Sequence, residues 1–201
     1  MSSPSFTPPG DLTARARIRN EAFSLYALQG EERVSMRTVA AAAGVTIGLV
    51  QHHFGTKEGL RRSVDEYVVE HFVEALAGVE HTGTAAEVIA ARDGAVRTML
   101  QENPLVVRYL LRTLLEPETR GAFVLGRLVD LTVQEIGRLR EDGFASTSTP
   151  EPVQVVRTIL GQIGEHALEP MVAAVWKRVG GSDADRPRTE ITVVQPTDPR
   201  A

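Results

Sequence analysis

The sequence predicts an all-α protein with a small three-helix domain at its N-terminus and a larger helical body behind it. Apolar residues recur at spacings of three and four along most of the chain, which is the period of a helix face. Ser, Thr and Gly fall where such helices must start and stop. No stretch alternates with period two between turns. The run Ile191-Thr192-Val193-Val194 is the only strand-like piece, and it is too isolated to form a sheet.

Residues 1–10 carry Ser, Pro and Gly and are expected to be a disordered tail. Thr13 caps a helix to about Leu28, with Ala14, Ile18, Ala22, Leu25 and Tyr26 on one face, and Gly30 stops it. Ser35 caps the Ala-rich helix Met36 to Ala43. Gly44 ends that helix, and Thr46 caps a short one to about His53. Thr56 caps a long helix from Lys57 to about Val79, with Leu60, Val64, Tyr67, Val68, Phe72 and Leu76 along one side. Thr84 starts a helix to about Gln101. Asn103 is read as the N-cap of the next, with Pro104 at its first position and an end near Leu115. Pro117 begins another that ends near Gly143, and residues 144–150 are a loop. The last helix spans about Glu151 to Val179, and Pro170 should kink or break it. Residues 181–201, with three prolines, are expected to be a second disordered tail.

Composition narrows the class. The 201 residues are enough for a sizeable core, and the absence of cysteine removes disulfides and thiolate metal sites. No basic-then-apolar leader is present, and no uncharged apolar run reaches the roughly 18 residues of a membrane helix. A cytoplasmic location, without membrane contact, is therefore the expectation. The net charge of −4 is unevenly spread. Through Arg62 there are eight basic and five acidic residues, against 14 and 21 beyond it. A basic head on an acidic body suits a nucleic-acid-binding domain joined to a regulatory one.

Residues 35–54 place two short helices around a turn that contains Gly44. Val39, Ala40 and Ala43 face inward from the first helix, with Val45, Leu49 and Val50 from the turn and the second. Small side chains at 40–43 let the helices cross closely. The second helix then exposes Thr46, Ile47, Gly48, Gln51 and His52. Thr46 lies where free N–H groups and the helix dipole attract phosphate. Gln51 can donate to and accept from a base edge, Ile47 can touch a thymine methyl, and Gly48 lets the backbone approach. Arg37 joins Gln51 and Ile47 as a base-reading candidate. Ser35, Thr46, His52 and Lys57 are backbone-positioning candidates.

These residues resemble the signature of the TetR family of transcriptional regulators. The resemblance rests on Gly44-Val45-Thr46, on Gly48-Leu49-Val50-Gln51-His52-His53-Phe54 and on Lys57-Glu58-Gly59-Leu60, and extends over roughly residues 12–75. It implies a helix-turn-helix DNA-binding domain over 11–56 and a ligand-binding and dimerisation domain over 57–180. Two residues depart from the family's usual pattern. Gln51 stands where Tyr is usual, and Ile47 stands where Lys or Ser is common, so the preferred DNA sequence should be unusual.

The resemblance also directs attention to the body. Val153, Val156, Leu160, Ile163 and Ala167 form a bundle seam on the last helix, and Leu128 offers a partner surface on the one before it. These six are the expected dimer interface. A ligand pocket is expected among Phe72, Met99, Val106, Tyr109, Leu110, Phe123 and Trp176, although helical spacing makes each of them a core candidate as well. Arg108, Arg112 and Gln162 are the polar groups considered for fixing a ligand. The implied partners are a double-stranded DNA operator, a second copy of the chain and a small, mostly apolar effector. The implied mechanism is repression relieved by that effector.

Other chemistries fare poorly. His52 and His53 point about 100° apart on a helix and cannot easily share an ion. Glu165-His166 lacks the second histidine of a zinc-protease helix. No phosphate loop, nucleophile elbow or paired-carboxylate motif is present, so neither an enzyme nor a cofactor or metal is expected. A helical module that no longer touches DNA is the remaining alternative.

Overall fold

The computed structural model describes residues 13–115, 121–187 and 189–194. Helices α1 (Ala14–Gln29), α2 (Met36–Ala42) and α3 (Ile47–Phe54) form the N-terminal unit. Helix α4 (Lys57–Ala77) leads out of it. The body consists of α5 (Ala85–Glu102), α6 (Pro104–Leu114), α7 (Ala122–Glu141) and α8 (Glu151–Arg178). Short 3-10 turns cover Glu31–Arg33 and Asp183–Asp185, and no strand occurs among the described residues. None of the described helices is long and apolar enough to cross a membrane.

The Ser and Thr punctuation holds at atomic level. Thr13, Ser35, Thr46 and Thr56 each accept from a backbone N–H three residues on, at 3.0–3.3 Å. Thr84 and Glu87 form a reciprocal capping box. Each cap is worth about 1 kcal/mol. Gly44 adopts φ 64° and Gly55 φ 68°, so both ends of α3 are set by left-handed turns that a side chain would strain.

One continuous core joins the two halves. Ile18, Phe23 and Tyr26 of α1, Val39 of α2 and Val50 of α3 are buried with Leu60, Val64, Val68 and Phe72 of α4. The same cluster runs on through Val96, Leu100, Val106, Leu110, Val124 and Leu128. Fully burying each such side chain contributes about 1.5–3 kcal/mol. Helix α1 packs on α4 and α6, and α7 packs on α4 and α8. Arg112 reaches back from α6 to donate to the Leu28 carbonyl at 3.1 Å.

A buried polar cluster fastens α4 to α6. Asp65 is completely buried, accepting from Tyr109 Oη at 2.5 Å and from Arg61 Nη1 at 2.8 Å. Arg61 also grips Glu58 with Nε and Nη2. Burial pushes the Asp65 carboxyl up to about 6, against the downward pull of Tyr109 and Arg61. Burial, and then the Asp65 charge, push the Tyr109 hydroxyl upward. An acid whose pKa is raised on folding stabilises the fold below its unfolded pKa, and that contribution fades as pH rises through the folded value. The wild-type protein should therefore lose roughly 3 kcal/mol relative to Asp65→Asn between about pH 4 and pH 7. Urea unfolding of both proteins across that range checks the sign. A difference that stayed flat with pH would contradict it.

The structure differs from the sequence reading at three points. Asn103 holds the N-cap position of α6 as expected, with its carbonyl accepting from Val106 N at 2.9 Å, but its side chain makes no capping bond there; Nδ2 donates to the Met99 carbonyl at 2.8 Å and closes the end of α5. Of the kink or break expected at Pro170, the break does not occur, and helix α8 continues through that residue. A proline removes one helical hydrogen bond and leaves the others of the helix in place. Arg186 pairs with Glu169 at 2.9 Å, and Trp176 Nε1 donates to the Ser182 carbonyl at 2.7 Å. Those contacts belong to the third difference, because the part of 181–201 that is described lies back along α8. Ile191 sits over Gly164, where an added Cβ would fall 2.2 Å from Ile191 Cδ1, and Arg157 Nε donates to the Val193 carbonyl at 3.2 Å. The tail expected at 1–10 and the helix start at Pro117 lie outside the described residues.

Candidate nucleic-acid interface and the cavity behind it

Helices α2 and α3 cross through small side chains, and Val39, Ala40 and Val50 seal the contact. The opposite side of α3 is left to solvent. Thr46, Ile47, Gly48, Gln51 and His52 are exposed together, flanked by exposed Ser35 and Arg37 at the start of α2. Ile47 is 38 % exposed, an isolated apolar contact on a polar face. A Cβ on Gly48 would meet only Thr46 Oγ1, at 3.9 Å, so its bareness serves no packing purpose. His53 is half-buried and edge-on to Phe54, with ring centroids 6.2 Å apart, while His52 faces out. Arg15 lies over the Phe54 ring at 5.4 Å and tethers α1 to the end of α3.

The Ser35 and Thr46 hydroxyls accept from their own helices and keep a proton to donate outward, although Ser35 Oγ also lies 2.8 Å from Thr38 Oγ1. Lys57 is partly engaged. Its Nζ donates to the Glu31 carbonyl at 2.7 Å and stands 3.9 Å from the Glu31 carboxylate. An ammonium group has three donors, so this bond positions Lys57 without using it up.

Behind this face, a cavity of about 400 Å³ lies between α4, α5, α7 and α8. Of the seven residues considered for a pocket, Phe72 lines it. Met99, Val106, Tyr109 and Leu110 are buried in the core. Phe123 lies under the Arg62 guanidinium at 5.6 Å, and Trp176 packs against Gly181 and Ser182. Gln162 lines the cavity, Arg112 is bonded to Leu28, and Arg108 is exposed.

Apart from Gln162, the cavity's polar residues went unrecognised in the sequence. Arg92 is buried in the wall, ion-paired with Glu135 and donating to His81 Nε2 at 2.7 Å. Asp93 accepts from Gln162 at 3.1 Å. A signal for Arg92 existed. It falls on the stripe Val88, Arg92, Val96, Met99, where every other member is an apolar core residue.

The candidate dimer residues divide. Val156 and Leu160 are exposed at 44 % and 48 %, and Met171 and Val175 continue their stripe along α8. Val153 and Ala167 are half-buried beside them. Ile163 and Leu128 turn inward and line the cavity.

A capped helix-turn-helix whose second helix is exposed has the geometry of a DNA-binding domain, and known proteins share it. Residues 18–64 match the family profile described as "Bacterial regulatory proteins, tetR family". Over these residues the chain is similar to the TetR family of transcriptional regulators. Over 60 residues it is 52% identical to the HTH-type transcriptional regulatory protein RaaS of Mycobacterium tuberculosis, covering 30% of this chain and 28% of that one. The chain thus spans less than a third of the length of that relative. It is 25% identical over 178 residues to the HTH-type transcriptional repressor KstR of Mycolicibacterium smegmatis, covering 86% of this chain and 81% of that one. The fold is shared with the crystal structure of a TetR transcriptional regulator from Chloroflexus aurantiacus J-10-FL. The TM-score is 0.65 at 20% identity, over 80% of this chain and 85% of that one.

Proposed function

We propose that the chain is a homodimeric repressor that holds an approximately palindromic operator and releases it when a small, mostly apolar effector fills the body. The observation that carries this is the α3 face. A base-reading Gln51 and a methyl-contacting Ile47 stand exposed on a helix fixed at both ends by Thr46, Gly44 and Gly55. A relative over most of the chain bears the name repressor. The exposed stripe Val156, Leu160, Met171 and Val175 supports pairing with a second copy, which would set two heads about 34 Å apart, one DNA turn. The effector would act by its differential affinity for a conformation with another head separation.

The test is an anisotropy titration against the DNA upstream of the protein's own gene at two salt concentrations. Saturable, competitor-resistant binding of a dimer is expected. Gln51→Ala should cost about 1–3 kcal/mol at one base position and relax specificity there. Lys57→Ala should weaken all sequences alike and lower the salt slope by about 1. An unchanged salt slope would remove Lys57 from the interface. Weak binding that ignores sequence, confirmed by random-sequence selection, would leave a helical module that no longer reads DNA.

A further inference from the structure

We infer that the cavity takes an uncharged, largely apolar molecule with one oxygen acceptor, and that Arg92 is the group that meets this acceptor; the biological role of that molecule rests on the effector reading above. Most of the wall is apolar, including Phe72, Leu76, Val96, Leu128, Ile136 and Ile163. An apolar body is therefore desolvated favourably inside it. The charges in the wall already cancel. Arg92 is ion-paired with Glu135, whose other oxygen accepts from Arg138 at 3.0 Å. The remaining ionised groups of the wall, Asp93 and Arg157, are of opposite sign. A ligand carrying its own charge would leave one ion uncompensated against a mostly apolar wall, which is costly.

Arg92 also sets the demand for an acceptor. It is only 6 % exposed and lines the cavity. A guanidinium presents five N–H donors, and its partners among the described residues are His81 Nε2 and the Glu135 carboxylate. Donors remain for a carbonyl or ether oxygen brought in by the ligand. The other guanidinium of the wall, Arg157, is exposed and donates to the Val193 carbonyl, which leaves Arg92 as the buried guanidinium that one acceptor can meet.

Calorimetric titration of the full chain with decan-2-one, decanoate and decylamine separates the alternatives. The ketone is expected to bind about ten-fold more tightly than either ion. The paired replacement Arg92→Met with Glu135→Met keeps the charge balance. It should lower ketone affinity about ten-fold while leaving hexylbenzene binding unchanged. If decanoate or decylamine bound as well as the ketone, or if none of the three bound, the inference would fall. Circular dichroism checks that the double variant folds; should it not, the head-group comparison on the wild-type chain still decides. Operator release is measured separately with the same ketone. Binding without release would retire the effector reading and leave the ligand class standing.

Discussion

Gly59→Ala is expected to unseat α4 from the end of α3 and to destabilise the fold by about 2–3 kcal/mol. On helix propensity alone the change should stabilise, because alanine is better than glycine by about 1 kcal/mol in a helix interior. Space reverses the sign. A Cβ at position 59 would lie 2.2 Å from the Phe54 carbonyl oxygen and 3.3 Å from its carbon. Both are backbone atoms, so no rotamer change can relieve the overlap. The Phe54 carbonyl also accepts from Thr56 N at 2.8 Å, and Thr56 caps α4 through Gly59 N at 3.1 Å. Moving it would disturb the whole junction that aims α3. Gly94→Ala, in α5, is the control. Nothing lies within 4 Å of an added Cβ there, so the variant should gain up to about 1 kcal/mol. Thermal unfolding of the two variants should shift in opposite directions, and DNA binding should fall only for the first. Equal stabilisation of both would mean that the α3–α4 junction has slack.

The contrast between these two glycines marks what the chain discloses in one dimension. Helix starts are local chemistry, so Thr13, Ser35, Thr46, Thr56 and Thr84 announce themselves, and the structure uses each of them. The exposed face of α3 follows from its spacing and from two glycines. What periodicity cannot say is which helices become neighbours. The cavity is made by α4, α5, α7 and α8 together, and its key pair, Arg92 and Glu135, is 43 residues apart. Aromatic size was a poor guide to the cavity. Phe123 is taken by Arg62 and Trp176 by the segment that returns along α8. Asp65 and Arg92 share a better signal, a charge on an otherwise apolar stripe, which in this fold marks a buried pairing rather than a solvated face. Asn103 shows the converse limit. A residue between two helices can serve both, and Asn103 holds the N-cap position of α6 while its side chain closes α5.

Gly48→Glu is expected to abolish operator binding while making the protein slightly more stable. Position 48 lies in the first turn of α3, two residues after the Thr46 cap, where a carboxylate interacts favourably with the helix dipole. The backbone there is ordinary helix, and a Cβ meets nothing closer than 3.9 Å. The substitution therefore replaces a poor helix former with a good one, at no steric cost. Toward DNA the sign is opposite. The new carboxylate would stand between Ile47 and Gln51 on the face offered to a phosphate-lined groove, and like charges brought together cost several kcal/mol. A loss of about 100-fold or more in affinity is the expected result, with a melting temperature at or above that of the wild type. Gly48→Ala separates charge from bulk. If the backbone of α3 approaches the bases at this point, alanine alone should weaken binding by a smaller factor at every salt concentration, whereas the glutamate penalty should shrink as salt rises. A Gly48→Glu protein that bound its operator normally would show that α3 is not the helix that enters the groove, and the assignment of Gln51 and Ile47 as reading residues would fall with it.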